Sequence, residues 1–134
     1  MMRLFCKGKI HAATVTEARL DYEGSVTIDA DLVAAAGMVP FEIVQITNTA
    51  NGTRWKTYVI AAPAGSGTIC LNGPPARHFH PGDRVIILSE ALLAEPEVAR
   101  AIARVVFVDG QNRVTNVVVH HLADEIAQIP TPPA

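Results

Sequence analysis

Long apolar runs are missing from this sequence. No stretch approaches the roughly 20 residues that a membrane-spanning helix needs, so no such helix and no membrane partner are expected. Basic runs are missing too: 11 Lys and Arg stand against 13 Asp and Glu, for a formal net charge of -2. That balance argues against nucleic acid as a partner. The start of the chain carries Arg3 and Lys7 but no apolar h-region, so it does not read as a signal peptide. There are only two cysteines, Cys6 and Cys70, far apart and in unlike contexts. They suit buried thiols in a reducing compartment better than a disulfide framework, and the expected location is the cytoplasm. Aromatic residues make up only 5% of a chain that is 49% hydrophobic, so the core is expected to be packed from Ala, Val and Ile in a β-rich interior. No glycine-rich phosphate loop sits between a strand and a helix, which leaves no cradle for a phosphate-bearing cofactor. No repeat and no linker divides the 134 residues, so residues 1–134 are read as a single domain.

What is present is a succession of short strands. Met2 to Cys6 reads as one, Lys7-Gly8-Lys9 as an interruption, and Ile10 to Thr16 as a second. Glu17 to Leu20 has the look of one helical turn. Val26-Thr27-Ile28 reads as a strand, and Asp29 as the N-cap of a short helix through Ala36, with Gly37 at its end and Pro40 barring its continuation. In Glu42 to Thr49, Ile43, Val44 and Ile46 oppose Glu42, Gln45 and Thr47. Asn51-Gly52 is the strongest hairpin signal, and Arg54 to Ala61 the returning strand. That strand sets Arg54, Lys56, Tyr58 and Ile60 on one face and Trp55, Thr57 and Val59 on the other. Thr68 to Leu71, Arg84 to Ser89, Arg104 to Val108 and Arg113 to Val119 are further strands, and Glu95 to Ala103 has helical character. Residues 122–134, above all Pro130 onward, read as a loose tail. Many short strands with few helices point to a small closed barrel.

One stretch can do chemistry on itself. In Tyr22-Glu23-Gly24-Ser25 a glycine precedes a serine at the head of a strand. Such a junction is ordinarily a turn or a cap. If it is strained, glycine allows dihedrals that other residues resist. The Ser25 hydroxyl then attacks the Gly24 carbonyl and converts the amide to an ester. Elimination across the Ser25 side chain breaks the chain and leaves dehydroalanine, which hydrolyses to a pyruvoyl group. Decarboxylation of an amino acid needs an electron sink of this kind: a carbonyl that condenses with the substrate amine.

The surroundings of this turn resemble those of a known family. Thr14-Val15-Thr16, Ala18, Leu20, Tyr22-Glu23-Gly24-Ser25 and Ile28-Asp29, with Lys7-Gly8-Lys9-Ile10-His11 upstream and Arg54, Thr57-Tyr58 and Asn72-Gly73 downstream, are similar to the pyruvoyl-dependent aspartate 1-decarboxylases. The likeness runs from about the start of the chain to Asp109. It implies a mainly β fold, a small closed six-stranded double-psi β-barrel with short helices, assembled as a homotetramer. It implies cleavage between Gly24 and Ser25 into a β chain (1–24) and an α chain (25–134), with Ser25 becoming the Schiff-base pyruvoyl cofactor.

The resemblance also assigns roles residue by residue. Tyr58 aligns with the proton donor, and a phenol held close enough can reprotonate a carbanion. Thr57 aligns with a threonine used in cleavage and substrate binding. A regular strand puts it on the face opposite Tyr58, so a bulge or bend, or service of neighbouring sites across a subunit boundary, is required. Lys9 and Arg54 align with carboxylate partners, arginine offering a two-pronged donor. His11 aligns with a histidine that assists processing, and Tyr22 is expected to order the cleavage site or pack against it. Taken alone, each has an ordinary role: a solvated charge at a strand end, a satisfied imidazole, a packed ring. Asn72 and Gly73 match the substrate loop, but the family usually continues with alanines where this chain has Pro74-Pro75. Proline has no N–H, so an expected donor at position 75 is missing. Neither His78 with His80 nor His120 with His121 is completed as a metal site in sequence, and no metal is expected.

The reading is therefore a self-processing carboxy-lyase converting L-aspartate to β-alanine and CO2, a step toward pantothenate and coenzyme A. A maturation factor is left open. The alternatives are the same pyruvoyl chemistry on another acidic or modified amino acid, and an unprocessed barrel acting as a binding module.

Overall fold

A computed structural model describes residues 1–133. Among these the chain is mainly β with short helices. The nine strands are β1 (Met2–Thr14), β2 (Glu17–Arg19), β3 (Ser25–Asp29), β4 (Ile43–Asn48), β5 (Arg54–Ala62), β6 (Ile69–Asn72), β7 (Arg84–Ala94), β8 (Ile102–Val108) and β9 (Val114–His121). They hydrogen-bond in the order β2-β6-β3-β5-β4-β7-β1-β8-β9. The chain leaving β1 also reaches β6. Thr16 N–H donates to Ile69 O at 2.8 Å, and Ile69 N–H to Thr16 Oγ1 at 2.9 Å.

Alternation decides what each strand buries. In β5, Thr57 and Val59 point inward and Arg54 and Lys56 outward, as the sequence pattern predicts. In β4 the inward set is Val44, Ile46 and Asn48, while Ile43 is 60% exposed. The core is built from small and branched residues around one ring, Phe79, with Ile10, Val26, Ile28, Ile46 and Leu71 fully buried. Each such side chain contributes about 1.5–3 kcal/mol relative to exposure.

The helix α1 (Ala30–Ala35) forms where expected. Asp29 Oδ1 accepts the Asp31 N–H at 2.8 Å, and Leu32 and Val33 are buried. Asp29 does more than cap: its carboxylate also accepts the N–H groups of Gly65 at 3.0 Å and Gly67 at 2.8 Å, tying that loop to the end of β3. The Asn51-Gly52 signal marks the β4–β5 hairpin, with Gly52 at φ 75°.

Four local readings are corrected by tertiary pairing. Lys7-Gly8-Lys9 does not interrupt the first strand. β1 runs through it, and a register shift against β7 between Cys6 and Gly8 absorbs the extra residue. Gly8 is needed there, because a Cβ would run into the Ala36 carbonyl. A second shift lies between Ile10 and Ala13, with Ala12 at φ 58°. Glu17 to Leu20 is not a helical turn, since Glu17–Arg19 pairs with β6 as β2. The helix expected from Glu95 to Ala103 stops early: α2 (Glu95–Val98) is one turn, and Ile102 onward is claimed by β8, which pairs with both β1 and β9. The expected loose tail begins as a helix, α3 (Leu122–Ala127), with Asp124 and Glu125 in its first turn, where acidic side chains favour the N-terminal dipole. Residues 128–133 carry no further helix or strand.

Candidate active site

The site is built on one face of β3 and its two neighbours. Val26 pairs with Val59 of β5 in parallel register and with Leu71 of β6 in antiparallel register, and all three belong to the apolar core. Strand alternation then places Ser25 and Thr27 on the opposite face, with Cys70 and Asn72 beside them on β6. The β3–β5 pairing begins at Val26 with Val59, and alternation puts the residues just before them, Ser25 and Tyr58, on the face away from the core.

Ser25 is fully buried, whereas Gly24 before it is exposed. The chain therefore enters the sheet at the peptide between them. The Ser25 hydroxyl donates to Glu23 O at 3.1 Å and accepts from Asn72 Nδ2 at 2.9 Å. The same Nδ2 donates to Thr27 Oγ1 at 2.9 Å, and Asn72 Oδ1 accepts from the Cys70 thiol at 3.2 Å. Burial pushes that thiol up to about 11, with the Glu17 carboxylate adding to the shift. At working pH it is therefore protonated and a donor.

The unusual backbone lies beside Gly24, not at it. Gly24 has no positive φ, while Gly73 adopts φ 79°. An added Cβ at Gly73 would meet Tyr22 O at 2.9 Å and the Gly24 Cα and N at 3.0 Å. The Asn72-Gly73 loop is thus pressed against the peptide ahead of Ser25, and the Gly73 N–H donates to Arg19 O at 2.7 Å. Tyr22 is 52% exposed, with the Arg19 guanidinium 6.0 Å from its ring centre.

The other residues singled out in the sequence divide into two groups. Tyr58 and Arg54 share the outward face of β5 with Ser25. Tyr58 stacks flat on Phe41, with ring centres 5.2 Å apart. Arg54 is exposed at the head of β5, four residues or roughly 13 Å along the strand from Tyr58. Thr57 is buried on the core side, and no register shift separates it from Tyr58, so no bulge turns the two to one face. Lys9 and His11 lie on β1, with β5, β4 and β7 between them and β3 in the sheet order. His11 meets Phe107 edge to face at 5.7 Å. Pro74 and Pro75 open a 3-10 turn (Pro74–Arg77) immediately after Gly73, with Pro75 buried. His120 Nδ1 lies 2.7 Å from Glu125 Oε1, and His80 Nδ1 3.8 Å from Asp83 Oδ2. Among the described residues no group of three or more His, Cys, Asp or Glu is arranged to hold a metal.

Cys70 and Thr27 were not singled out by sequence reasoning as site residues. The signal was available: Cys70-x-Asn72 and Ser25-x-Thr27 each have the two-residue spacing that shares a strand face. What the sequence could not supply was that these two strands pair.

The model of the aspartate decarboxylase family matches residues 1–115 of this chain. The chain belongs to the aspartate decarboxylase family. Among its relatives, the aspartate 1-decarboxylase of Neisseria meningitidis is 51% identical over 118 residues, 88% of this chain and 93% of that protein. Those of Dehalococcoides mccartyi and Syntrophobacter fumaroxidans are each 52% identical, over 83% and 84% of this chain and 90% and 91% of their own lengths. The family match covers the residues around Ser25 as well as Lys9, His11, Arg54 and Tyr58, and ends within β9.

Proposed function

We propose that this chain is a self-processing, pyruvoyl-dependent carboxy-lyase that converts L-aspartate to β-alanine and CO2. The observation that carries the reading is the Ser25 hydroxyl, buried and held between Glu23 O and Asn72 Nδ2 next to an exposed glycine peptide, in a chain of this family. In processing, Ser25 Oγ bonds to the Gly24 carbonyl carbon as the Gly24–Ser25 C–N bond breaks, and the freed nitrogen takes up the proton. Residues 1–24 and 25–134 are the products once the ester is eliminated.

The residues present fit a carbonyl group derived from Ser25. Asn72 Nδ2 and Thr27 line its position, and an amide N–H is a suitable partner for a carbonyl oxygen. When formed, the group supplies the electron sink for the pair left by departing CO2. Tyr58 shares the face of Ser25, next to the Val59 that pairs with Val26, and it donates the proton that replaces the carboxylate. Arg54 supplies a carboxylate clamp from the same face.

Lys9 and His11 are not bonded to Ser25 within one chain, which suits their delivery across a subunit boundary in a homotetramer, whereas Thr57 is turned into the core of its own chain. The closed double-psi barrel, the cytoplasmic location and the place of β-alanine in pantothenate and coenzyme A synthesis complete the proposal. No helix among the described residues is long and apolar enough to cross a membrane. A second reading, another acidic or modified amino acid as substrate, is favoured specifically by Pro74-Pro75 beside the site.

Denaturing mass spectrometry with a product assay tests the main reading. The wild-type chain is expected to split ahead of Ser25 and form β-alanine, and Ser25→Ala to do neither. A Ser25→Ala variant that still decarboxylates rules out the cofactor. A wild-type chain that stays whole and binds without turnover points to the binding module.

A further inference from the structure

We propose that Cys70 is a positioning residue for Ser25 that acts through Asn72, its thiol holding the amide so that the NH2 end faces the serine oxygen. The proposal rests on the self-processing reading and deepens it. An amide side chain has two unlike ends, and which end meets Ser25 changes what the hydroxyl does. With Nδ2 toward it, Ser25 Oγ accepts one hydrogen bond and donates another to Glu23 O, keeping its proton until the departing nitrogen takes it up. The N–H then favours negative charge on Oγ as that proton leaves and the oxygen attacks Gly24. With the amide turned over, Ser25 would donate to Oδ1, and Oγ would lose the donor that supports its attack.

Ser25 and Thr27 do not by themselves choose between these states, because a hydroxyl both donates and accepts. Cys70 makes the difference. Its protonated sulfur donates to Asn72 Oδ1 at 3.2 Å, at the end of the amide remote from Ser25. The Glu17 carboxylate on β2, paired with Arg19 at 2.9 Å, also faces the Cys70 sulfur and helps to keep it protonated. Cys70 and Asn72 are 3% and 1% exposed, so solvent does not stand in for the thiol. Without that donor, a buried carbonyl oxygen is left bare, and turning the amide over to satisfy it becomes competitive.

The test follows the splitting of freshly purified precursor over time by denaturing mass spectrometry, for wild type, Cys70→Ala, Cys70→Val and Cys70→Ser. Thermal unfolding is measured in parallel, and the near-isosteric Val variant serves if Ala leaves a damaging cavity. Loss of one neutral hydrogen bond is expected to slow splitting about fivefold in the Ala and Val variants. Cys70→Ser restores a hydroxyl donor and is expected to split within about twofold of wild type, whatever its unfolding midpoint. Equal rates for wild type and the donor-less variants overturn the proposal. So does a Ser variant as slow as Ala, because packing and not donation would then be at work. A wild-type precursor that never splits overturns the processing reading itself, an outcome recognisable because no variant then has a rate to compare.

Discussion

At Gly24-Ser25 the chain passes from an exposed residue to a fully buried one, and the two side chains that follow alternately face the core and the site. Ser25 is held at both its donor and its acceptor side, which is what a nucleophile in its own backbone needs. Gly73 is as constrained as Ser25. Its φ of 79° and the backbone atoms of Tyr22 and Gly24 leave no room for a methyl group. Gly73→Ala is therefore expected to displace the Gly24 peptide and slow splitting by tenfold or more, on the order of 1–3 kcal/mol of backbone strain. The mass-spectrometric time course reads this directly, and splitting at the wild-type rate would show that the close approach is incidental. Tyr58 is judged on turnover. Tyr58→Phe keeps the ring on Phe41 and removes only the phenol, so splitting is expected to survive while kcat falls by about a hundredfold or more. Unchanged kcat would remove Tyr58 from proton donation.

At the scale of the element, the 3-10 turn after Gly73 gives this chain its own character. Through this segment the backbone has no free donor. The Gly73 N–H goes to Arg19 O, positions 74 and 75 are prolines, and the Ala76 N–H returns to Gly73 O at 2.9 Å. A substrate carboxylate near the site thus lacks the main-chain N–H groups that alanines would offer. Pro75→Ala restores one. If the missing donor limits recognition, KM for aspartate is expected to fall about tenfold with kcat little changed, the value of one hydrogen bond to a charged group. An unchanged KM would show that other groups bind the carboxylate. A gain seen for a different amino acid alone would favour the second substrate reading. The elements also show where sequence pattern fails. Alternation in β5 and the Asp29 cap of α1 are local, so they were legible. Glu17–Arg19, and residues 102–103 at the start of β8, became strand because β6 and β9 offered partners, and no neighbour-by-neighbour preference records a partner that is distant in the chain.

At the scale of the whole molecule, exposed apolar residues cluster beside the site. Val39, Phe41 and Ile43 are 59%, 75% and 60% exposed, and Ile43 pairs with Tyr58 across β4 and β5. Apolar surface gathered in one place marks an interface more often than bare surface. Lys9 and His11 meanwhile lack any bond to Ser25 within the chain. Both facts are met if a second copy packs here. Ile43→Glu, which buries no charge in the single chain, is expected to lower the assembled mass and with it the activity, measured by light scattering and β-alanine formation. A wild-type chain that runs as a monomer, or a variant that keeps full mass, would set this aside.

The order of residues alone set the chemistry on offer: a serine after a glycine, a tyrosine, an arginine and an Asn-Gly loop in family order, with two prolines out of pattern. It also determined the mainly β class, because strand periodicity and turn residues are properties of near neighbours. It took strand pairing to show that Asn72 bonds the Ser25 oxygen, that Cys70 bonds Asn72, that Tyr58 shares the face of Ser25 and that Thr57 does not. Those facts depend on which strands pair and in what register. Pairing is settled by burying Val26, Val59 and Leu71 together across segments tens of residues apart, and a one-residue slip would have turned every one of these side chains to the other face.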